Sequence, residues 1–286
     1  TVIIADEDQR LDPLPLFRLI QMQGVTVFDA VPSFQRHCTN ALLELAPEQR
    51  ASLLKNKLRL LLSASEPLLS DIPATWMREF NHPAQHVHMM GQTETSGIVA
   101  LHRITTEDIA GSVKVIPVGH PIANTQILLL DENQQPASTG TAGEMYISST
   151  GVGRGYWKRP ELTKEKFLSC AKVLPFALHS ASHTSHFVKT GDFARQLPDG
   201  TLECLGRQDF QVKIRGQRVE LGEIEALFTN HPNVRECAVI AREDAPGRQQ
   251  LVAYVVLRRA RTATIHELRN LARQELPDYM QPAAYV

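Results

Sequence analysis

Apolar residues in the first third of the chain recur at two different spacings. Three segments repeat them every third or fourth residue, which predicts amphipathic helices over residues 14–24, 34–45 and 71–80. Between these segments lie short apolar runs of strand length, at residues 25–28, 58–62 and 86–89. The run at 58–62 is continuous, which is typical of a strand buried on both faces of a parallel sheet. The alternation of strands and helices predicts a parallel sheet with right-handed crossovers.

From about Val115 onward the pattern changes to short strand-like runs separated by turn residues. The runs cover residues 125–130, 144–147, 188–189, 201–205 and 211–214. Their spacing predicts a small β-barrel-like subdomain. From Glu220 onward helical and strand patterns alternate again, and Thr264 with Glu267 matches a capping box at the start of a helix. The predicted fold class is α/β, with a parallel-sheet subdomain, a β-barrel-like subdomain and a small C-terminal part.

Composition narrows the class of protein. The chain has 286 residues, 43% hydrophobic and 21% charged, which is typical of a soluble globular protein long enough for two domains. A net charge of −1 lacks the basic excess of a nucleic-acid binder. The apolar runs are too short to span a bilayer, and the first residues lack a signal-peptide pattern. Four cysteines without a CxxC pair predict reduced thiols in the cytoplasm.

One candidate for chemistry is the segment MGQTETSG at residues 90–97. It follows a predicted parallel strand, and loops at the carboxyl ends of such strands are the usual ligand sites of open α/β sheets. The hydroxyls of Thr93 and Thr95 could donate hydrogen bonds to a phosphate. The carboxylate of Glu94 could bind Mg²⁺, which prefers oxygen ligands. The alternative is a polar turn capped by threonine.

Three further segments each leave two interpretations open. Asp192, after Gly191, could accept hydrogen bonds from the vicinal hydroxyls of a ribose, or belong to an ordinary Gly-Asp turn. The alternating basic side chains between positions 205 and 216 could bind a ligand, or they could form the solvated face of an amphipathic strand. Histidines 179, 183 and 186 have a zinc-like spacing, but their Ser-rich surroundings favour a solvated loop.

The glycine-rich segment TGVGRGYW at residues 150–157 has three glycines at every second position. It lacks the GxxxxGK[ST] spacing of a phosphate-binding P-loop. Close backbone packing beside Tyr156 and Trp157 is therefore the prediction for this segment.

Taken together, these segments resemble the adenylation domains of nonribosomal peptide synthetases, which share the adenylate-forming superfamily with acyl-CoA synthetases and luciferases. The most specific blocks are GYWKRPELTKEKF at 155–167, KTGDFARQLPDG at 189–200, LGRQDFQVKIRGQRVELGEIE at 205–225 and LPDYMQP at 276–282. The resemblance extends from residue 25 to residue 286.

The resemblance implies an adenylate-forming ligase that works in two steps. The carboxylate of an amino acid or related acid attacks the α-phosphate of ATP, with Mg²⁺ as the metal, giving an acyl-adenylate and pyrophosphate. The acyl group then passes to the phosphopantetheine thiol of a peptidyl carrier domain, beside neighbouring synthetase modules. The implied partners include neither nucleic acid nor membrane.

The resemblance also implies roles for individual residues. Thr93 would contact the α-phosphate and Glu94 would help to hold Mg²⁺, while Asp192 would bind the ribose with Arg207 nearby. Asp209 would be the hinge of a mobile C-terminal subdomain, where acyl-CoA synthetases usually have lysine. Further implied nucleotide-binding positions are His88, Met90 and Gly91. The family usually has Asn-x-Tyr before this glycine, whereas His88, Met89 and Met90 stand here, so altered adenine recognition is expected.

Six positions match those that line the acyl pocket of the family: Asp29, Leu62, Ala64, Met89, Gly97 and Ile98. A carboxylate at Asp29 is unusual among apolar neighbours, and an unpaired buried carboxylate is costly. The hypothesis is therefore that Asp29 meets a polar or cationic group of the substrate. The alternative is that it pairs with another group of the protein.

The resemblance finally implies a domain division and a place in a longer enzyme. Residues 1–208 would be the C-terminal part of the core domain, with an α/β sheet subdomain at 1–114 and a β-barrel-like subdomain at 115–208. Residues 209–286 would begin a truncated α+β C-terminal subdomain. The phosphate loop is expected upstream and the catalytic lysine downstream, so the chain alone is expected to be inactive. The open alternatives are an acyl- or aryl-CoA ligase and a non-catalytic scaffold remnant.

Overall fold

The computed structural model describes residues 1–173, 186–207, 211–214, 216–245, 248–258 and 264–286. The chain divides into two compact units, residues 1–208 and 209–286. None of the described helices combines the length and the apolar character that are needed to cross a lipid bilayer.

The first unit begins with a five-stranded mixed sheet whose strands lie side by side in chain order. Its strands are β1 (Val27–Asp29), β2 (Leu60–Ser63), β3 (Gln85–Gln92), β4 (Gly97–Arg103) and β5 (His120–Pro121). The predicted parallel pairing is confirmed for β1, β2 and β3. By contrast, β4 and β5 are antiparallel to their neighbours. The four residues between β3 and β4 are too few for the crossover that a parallel return needs.

Helices cover this sheet because their apolar sides match the apolar strands. They are α1 (Glu7–Leu11), α2 (Pro13–Gln23), α3 (Pro32–Leu43), α4 (Pro47–Leu54) and α5 (Asp71–Ala74), the last continued by a π-helical turn at Thr75–Glu79. Proline starts α2, α3 and α4, where its missing N–H costs nothing. The side chains of Phe17, Leu42, Leu61 and Trp76 form the centre of the resulting core. The helices at 14–24, 34–45 and 71–80 are confirmed, and α1 and α4 were not predicted.

The second sheet of this unit is antiparallel. Its strands are β6 (Thr125–Leu130), β7 (Ala142–Ser149), β8 (Phe167–Ser169), β9 (His186–Gln196) and β10 (Leu202–Arg207), with the short helices α6 (Pro160–Lys166) and α7 (Cys170–Val173) beside β8. The spatial order is β10-β9-β7-β6, and β8 pairs with β9. Met145 and Ile147 of β7 pack in one cluster with Met90 and Val99 of the first sheet. This sheet confirms the predicted β-barrel-like subdomain.

The second unit is an α+β structure with its own core. Its elements are β11 (Gln211–Ile214), β12 (Gln217–Glu220), α8 (Leu221–Thr229), β13 (Val234–Ala245), β14 (Arg248–Leu257), α9 (Ile265–Glu275) and β15 (Ala284–Tyr285). The order β13-β14-β15 forms one sheet, and Ile224, Phe228 and Leu268 pack on it. The predicted capping box of α9 is confirmed. The placement of 211–214 among the barrel-like strands was wrong, because β11 pairs in a hairpin with β12.

Candidate functional site

The segment 90–97 forms a tight connection between β3 and β4. A 3₁₀ turn spans Thr93–Thr95, and Ser96 ends it in the left-handed conformation at φ 57°. The hydroxyl of buried Thr95 donates to the carbonyl oxygens of Gln92 (3.0 Å) and Gly97 (3.1 Å). Thr95 therefore closes the turn, and of the two threonines only Thr93 is exposed at the surface. The interpretation of Thr95 as a phosphate donor was wrong for this reason.

Gly91 allows this turn to form. A register shift lies between Met90 and Gly91, where β3 and β4 pair. A Cβ atom at residue 91 would lie 2.1 Å from the carbonyl oxygen of Gly97, closer than real carbon atoms come. The role of Gly91 in the structure is thus to let two backbones approach each other.

Glu94 is held at this turn by the glycine-rich segment 150–157. Its side chain is 7% exposed, and its Oε1 accepts a hydrogen bond of 2.6 Å from the Tyr156 hydroxyl. The amide of Gly153 donates to the carbonyl oxygen of Glu94 (2.9 Å), and the Ser96 hydroxyl donates to that of Gly151 (2.7 Å). The predicted close backbone packing of this segment is confirmed. Sequence reasoning did not predict its partner, because the two contacting residues lie 62 positions apart.

His88 and Met90 are directed into the protein. Nδ1 of His88 lies 3.1 and 3.0 Å from the carbonyl oxygens of Ile116 and Pro117. Burial lowers the pKa of His88 although these carbonyls favour the charged ring, so we assign a neutral ring with the proton on Nδ1. Met90 is 8% exposed, with its sulfur 3.8 Å from that of Cys204. Both side chains pack in the interior, and their contact with adenine stays a prediction.

Asp192 and Arg207 meet across two neighbouring strands. They face each other in the register of β9 and β10, and Nη1 of Arg207 lies 3.1 Å from Oδ1 of Asp192. The two side chains are largely buried, at 17% exposure for Asp192 and 12% for Arg207. The Asp192 amide donates to the Thr190 hydroxyl (3.0 Å). Asp192 therefore lies within a strand, not in the isolated Gly-Asp turn that was the alternative.

Five of the six predicted acyl-pocket residues lie on strands β1 to β4 of the first sheet. Asp29 faces Leu62 in the register, and Leu62 faces Val87. Because side chains alternate along a strand, Met89 shares the face of Val87, whereas Ala64 follows the last residue of β2. Gly97 faces Gln92, and Ile98 faces Gly91, at the same end of the sheet. Asp29, Leu62 and Met89 therefore share one face of the sheet, and the role of the six positions in an acyl pocket stays a prediction.

The hypothesis about Asp29 assumes a buried carboxylate, and Asp29 is not buried within the given chain. Within the given chain Asp29 is exposed on the three-residue β1, which pairs with β2. Neighbouring atoms remove part of its water and raise its pKa, but the side chain stays in contact with solvent. The full cost of an unpaired buried charge therefore does not apply. The proposed contact between Asp29 and a substrate needs another argument.

Glu94 and Thr93 supply the oxygen donors that suit Mg²⁺. Within the residues that the structure describes, no group of three or more His, Cys, Asp or Glu side chains could hold a metal by itself. A metal at Glu94 would therefore need ligand oxygens from a bound phosphate or from water, which is how Mg²⁺ is commonly held. His179, His183 and Asp209, for which a hinge role is predicted, lie outside the described residues, and exposed His186 begins β9.

Comparisons with known proteins show the family of the chain. The family model for AMP-binding enzymes matches residues 1–157, and that for the AMP-binding enzyme C-terminal domain matches residues 223–286. A dimodular nonribosomal peptide synthase of Bacillus subtilis strain 168 is 36% identical over 286 residues, 100% of this chain and 11% of that protein. Tyrocidine synthase 1 of Brevibacillus parabrevis is 37% identical over 262 residues, which is 92% of this chain and 21% of that protein.

Among solved structures, PA1221, an NRPS protein containing adenylation and PCP domains, is 28% identical with a TM-score of 0.77. The match covers 96% of this chain and 50% of that one. The chain thus spans only a small share of the length of the curated relatives that it matches. Because the AMP-binding model covers more than half of the chain, the chain belongs to the family of AMP-binding enzymes, and its resemblance to the adenylation domains of nonribosomal peptide synthetases is confirmed.

Proposed function

We propose that this chain is part of an enzyme that activates an amino acid or related carboxylic acid with ATP and loads it on a carrier domain. The observation that carries the proposal is the buried Glu94 carboxylate, fixed beside exposed Thr93 at the end of β3. The family match and the nonribosomal peptide synthetases among the relatives support the same activity.

In the first step a carboxylate oxygen of the substrate forms a bond to the α-phosphorus of ATP. The bond from that phosphorus to the oxygen bridging the α- and β-phosphates breaks, and pyrophosphate leaves with the electron pair. The exposed Thr93 hydroxyl would donate to an α-phosphate oxygen, where negative charge is concentrated in the transition state. Glu94 would hold Mg²⁺, which when bound supplies positive charge to the phosphate oxygens.

Asp192 would orient the nucleotide through its sugar. Its carboxylate can accept hydrogen bonds from vicinal ribose hydroxyls, and the ion pair with Arg207 keeps that carboxylate in place. Positioning of this kind is a major part of catalysis by phosphoryl- and nucleotidyl-transferring enzymes.

In the second step the thiol of a phosphopantetheine arm attacks the acyl carbonyl carbon. A carbon–sulfur bond forms, the bond from the carbonyl carbon to the AMP oxygen breaks, AMP leaves with the electron pair, and the thiol proton passes to solvent. The proposal of a carrier domain and of neighbouring modules is supported by the relatives, which include a dimodular peptide synthase and an NRPS protein with adenylation and PCP domains. Asp209 as the hinge between the two steps belongs to the same proposal.

The test is substrate-dependent pyrophosphate exchange by the full-length protein, across a panel of amino, hydroxy, keto and aryl acids. Glu94→Gln should lower exchange about 100-fold, because a charge at the reacting phosphates is lost. Asp192→Ala should raise the KM for ATP about 10- to 100-fold, the cost of one charge-assisted hydrogen bond. The control is Glu161→Gln on α6, an exposed carboxylate that should have no effect.

Two outcomes would count against this function. Exchange that is unchanged in Glu94→Gln would remove Glu94 from the chemistry, and a full-length protein without exchange for any acid would favour a scaffold. Thioester formation assayed with free coenzyme A and with a carrier domain separates the ligase alternative from the synthetase. A product only with coenzyme A would overturn the carrier partner while leaving the first step intact.

A further inference from the structure

Tyr156 is fixed in place by contacts on both its backbone and its ring. Its amide donates to the Thr163 hydroxyl (2.9 Å), and that hydroxyl donates in turn to the carbonyl oxygen of Arg159 (2.8 Å). Its ring meets Phe167 edge-on, at 5.4 Å between centroids and an interplanar angle of 79°. The tyrosine hydroxyl is therefore presented to Glu94 from a well-anchored side chain.

The hydrogen bond from Tyr156 to Glu94 has the geometry of a strong one. Its length of 2.6 Å lies in the range of O–H donors bound to ionised carboxylates. The same loop also holds the backbone of the turn, through Gly153 and Gly151. The loop therefore fixes both the position of residue 94 and the direction of its carboxylate.

A glutamate that holds a metal needs such support. Its long side chain has several rotamers, and a ligand in the wrong rotamer holds no metal. Hydrogen-bonding partners of metal ligands set the ligand orientation, and their loss typically costs 10- to 100-fold in metal affinity or activity.

We propose that Tyr156 is a positioning residue of the adenylation site: its hydroxyl orients the Glu94 carboxylate toward the metal of the bound nucleotide. This inference rests on the proposed function of Glu94. It gives a function to the glycine-rich segment 150–157, for which the sequence predicts only close packing. In this proposal Tyr156 contacts Glu94 and does not contact the substrate.

The chain contains a matched control for this proposal. The Tyr146 hydroxyl on β7 also faces a glutamate, Glu144, at a distance of 3.5 Å. Tyr156→Phe and Tyr146→Phe therefore make the same chemical change, and each removes a hydroxyl that faces a carboxylate. Only Tyr156 faces the candidate metal ligand.

The experiment compares these two variants in the full-length protein with Mn²⁺ as a spectroscopic probe. Paramagnetic resonance should show Mn²⁺ binding in the presence of ATP weakened at least tenfold by Tyr156→Phe, and by less than twofold by Tyr146→Phe. In exchange assays Tyr156→Phe should lower kcat and raise the Mg²⁺ requirement, while the KM for the acid substrate stays unchanged. Thermal unfolding should show that both variants are folded, with Tyr156→Phe destabilised by no more than the loss of one hydrogen bond, because each phenyl ring keeps its packing.

Two results would overturn the inference while sparing the proposed function. One is that Tyr156→Phe binds Mn²⁺ as tightly as Tyr146→Phe although Glu94→Gln abolishes metal binding. The other is that Tyr156→Phe weakens ATP binding equally with and without metal, which would place the hydroxyl against the nucleotide. If Glu94→Gln itself binds Mn²⁺ and ATP normally, the proposed function of Glu94 falls and the inference with it.

Discussion

His86 shows how strongly a single residue can depend on its surroundings. It lies on β3 with 2% exposure, its ring 5.9 Å from that of Trp76. Neither ring nitrogen has a hydrogen-bond partner among the described residues. Burial, with the nearby His82 adding to it, lowers the pKa of His86 from 6.5 to about 3. The imidazole therefore serves as a neutral part of the core.

This burial makes the stability of the first unit sensitive to acid. The unfolded chain takes up the His86 proton first as pH falls, because the folded pKa is the lower one. The free energy of unfolding is not reduced by His86 above pH 6.5. As pH falls from 6.5 toward 3, protonation of His86 in the unfolded chain lowers the free energy of unfolding by about 1.4 kcal/mol per pH unit. His86→Leu should therefore reduce the loss of unfolding free energy between pH 6.5 and pH 5 by about 2 kcal/mol.

Urea titrations followed by the fluorescence of buried Trp76 at the two pH values measure this difference. The chain's other tryptophan, Trp157, is 86% exposed and should change little on unfolding. His37→Leu is the control, because the His37 ring is exposed. A His86→Leu variant with the pH dependence of the parent chain would contradict the assignment.

At the scale of elements, the connection between β3 and β4 determines the candidate site. Three features fix this connection: the 3₁₀ turn, the register shift at Gly91 and the loop 150–157. Together they place Thr93 and Glu94 next to each other, with Thr93 exposed and Glu94 buried. The turn is local in sequence, but it forms only where β4 can return antiparallel beside β3. A change in the conformation of this turn would displace both candidate catalytic residues, Thr93 and Glu94.

Gly91→Ala tests this connection. The added Cβ would collide with the Gly97 carbonyl, so the strands must separate, and we expect a loss of at least about 2 kcal/mol in unfolding free energy. Gly222→Ala on α8 is the contrasting variant, because a Cβ there meets nothing within 4 Å. Helix propensity should make it neutral or stabilising by up to about 1 kcal/mol. Urea denaturation compares the two, and equal effects would refute the steric argument.

At the scale of the whole molecule, the chain divides at residues 208 and 209 into units whose buried clusters share no residue. Each unit has its own sheet and its own packed helices. Units with separate cores are expected to unfold as separate cooperative transitions. The mobile C-terminal subdomain implied by the resemblance stays a prediction.

Scanning calorimetry of the 286-residue chain should therefore show two transitions. Thr264→Ala removes the hydroxyl that caps α9 and should lower the unfolding free energy of the second unit by about 1 kcal/mol. In Thr264→Ala only one of the two transition temperatures should fall. Thr264→Ser keeps the capping hydroxyl and should leave both transition temperatures unchanged. A single transition that shifts as a whole in Thr264→Ala would show that the two units unfold together.

Much of the fold could be predicted because it is encoded in local periodicity. The apolar spacing of α2 and α3, the runs of β2 and β6 and the capping box of α9 each depend on neighbouring residues alone. The antiparallel return of β4 and the placement of β11 were less accessible, because strand partners are chosen by packing across the whole unit.

The sequence by itself determined most of the elements, the order of the motifs and hence the family of this protein, since those depend on residue types at fixed spacings. Only the tertiary structure decided which side chains meet. It exposed Asp29 on β1, buried His88 against two carbonyls and joined Tyr156 to Glu94 across 62 positions. The physical reason is that burial and hydrogen-bond partners are set by chain segments brought together in space, which spacing along one segment does not encode.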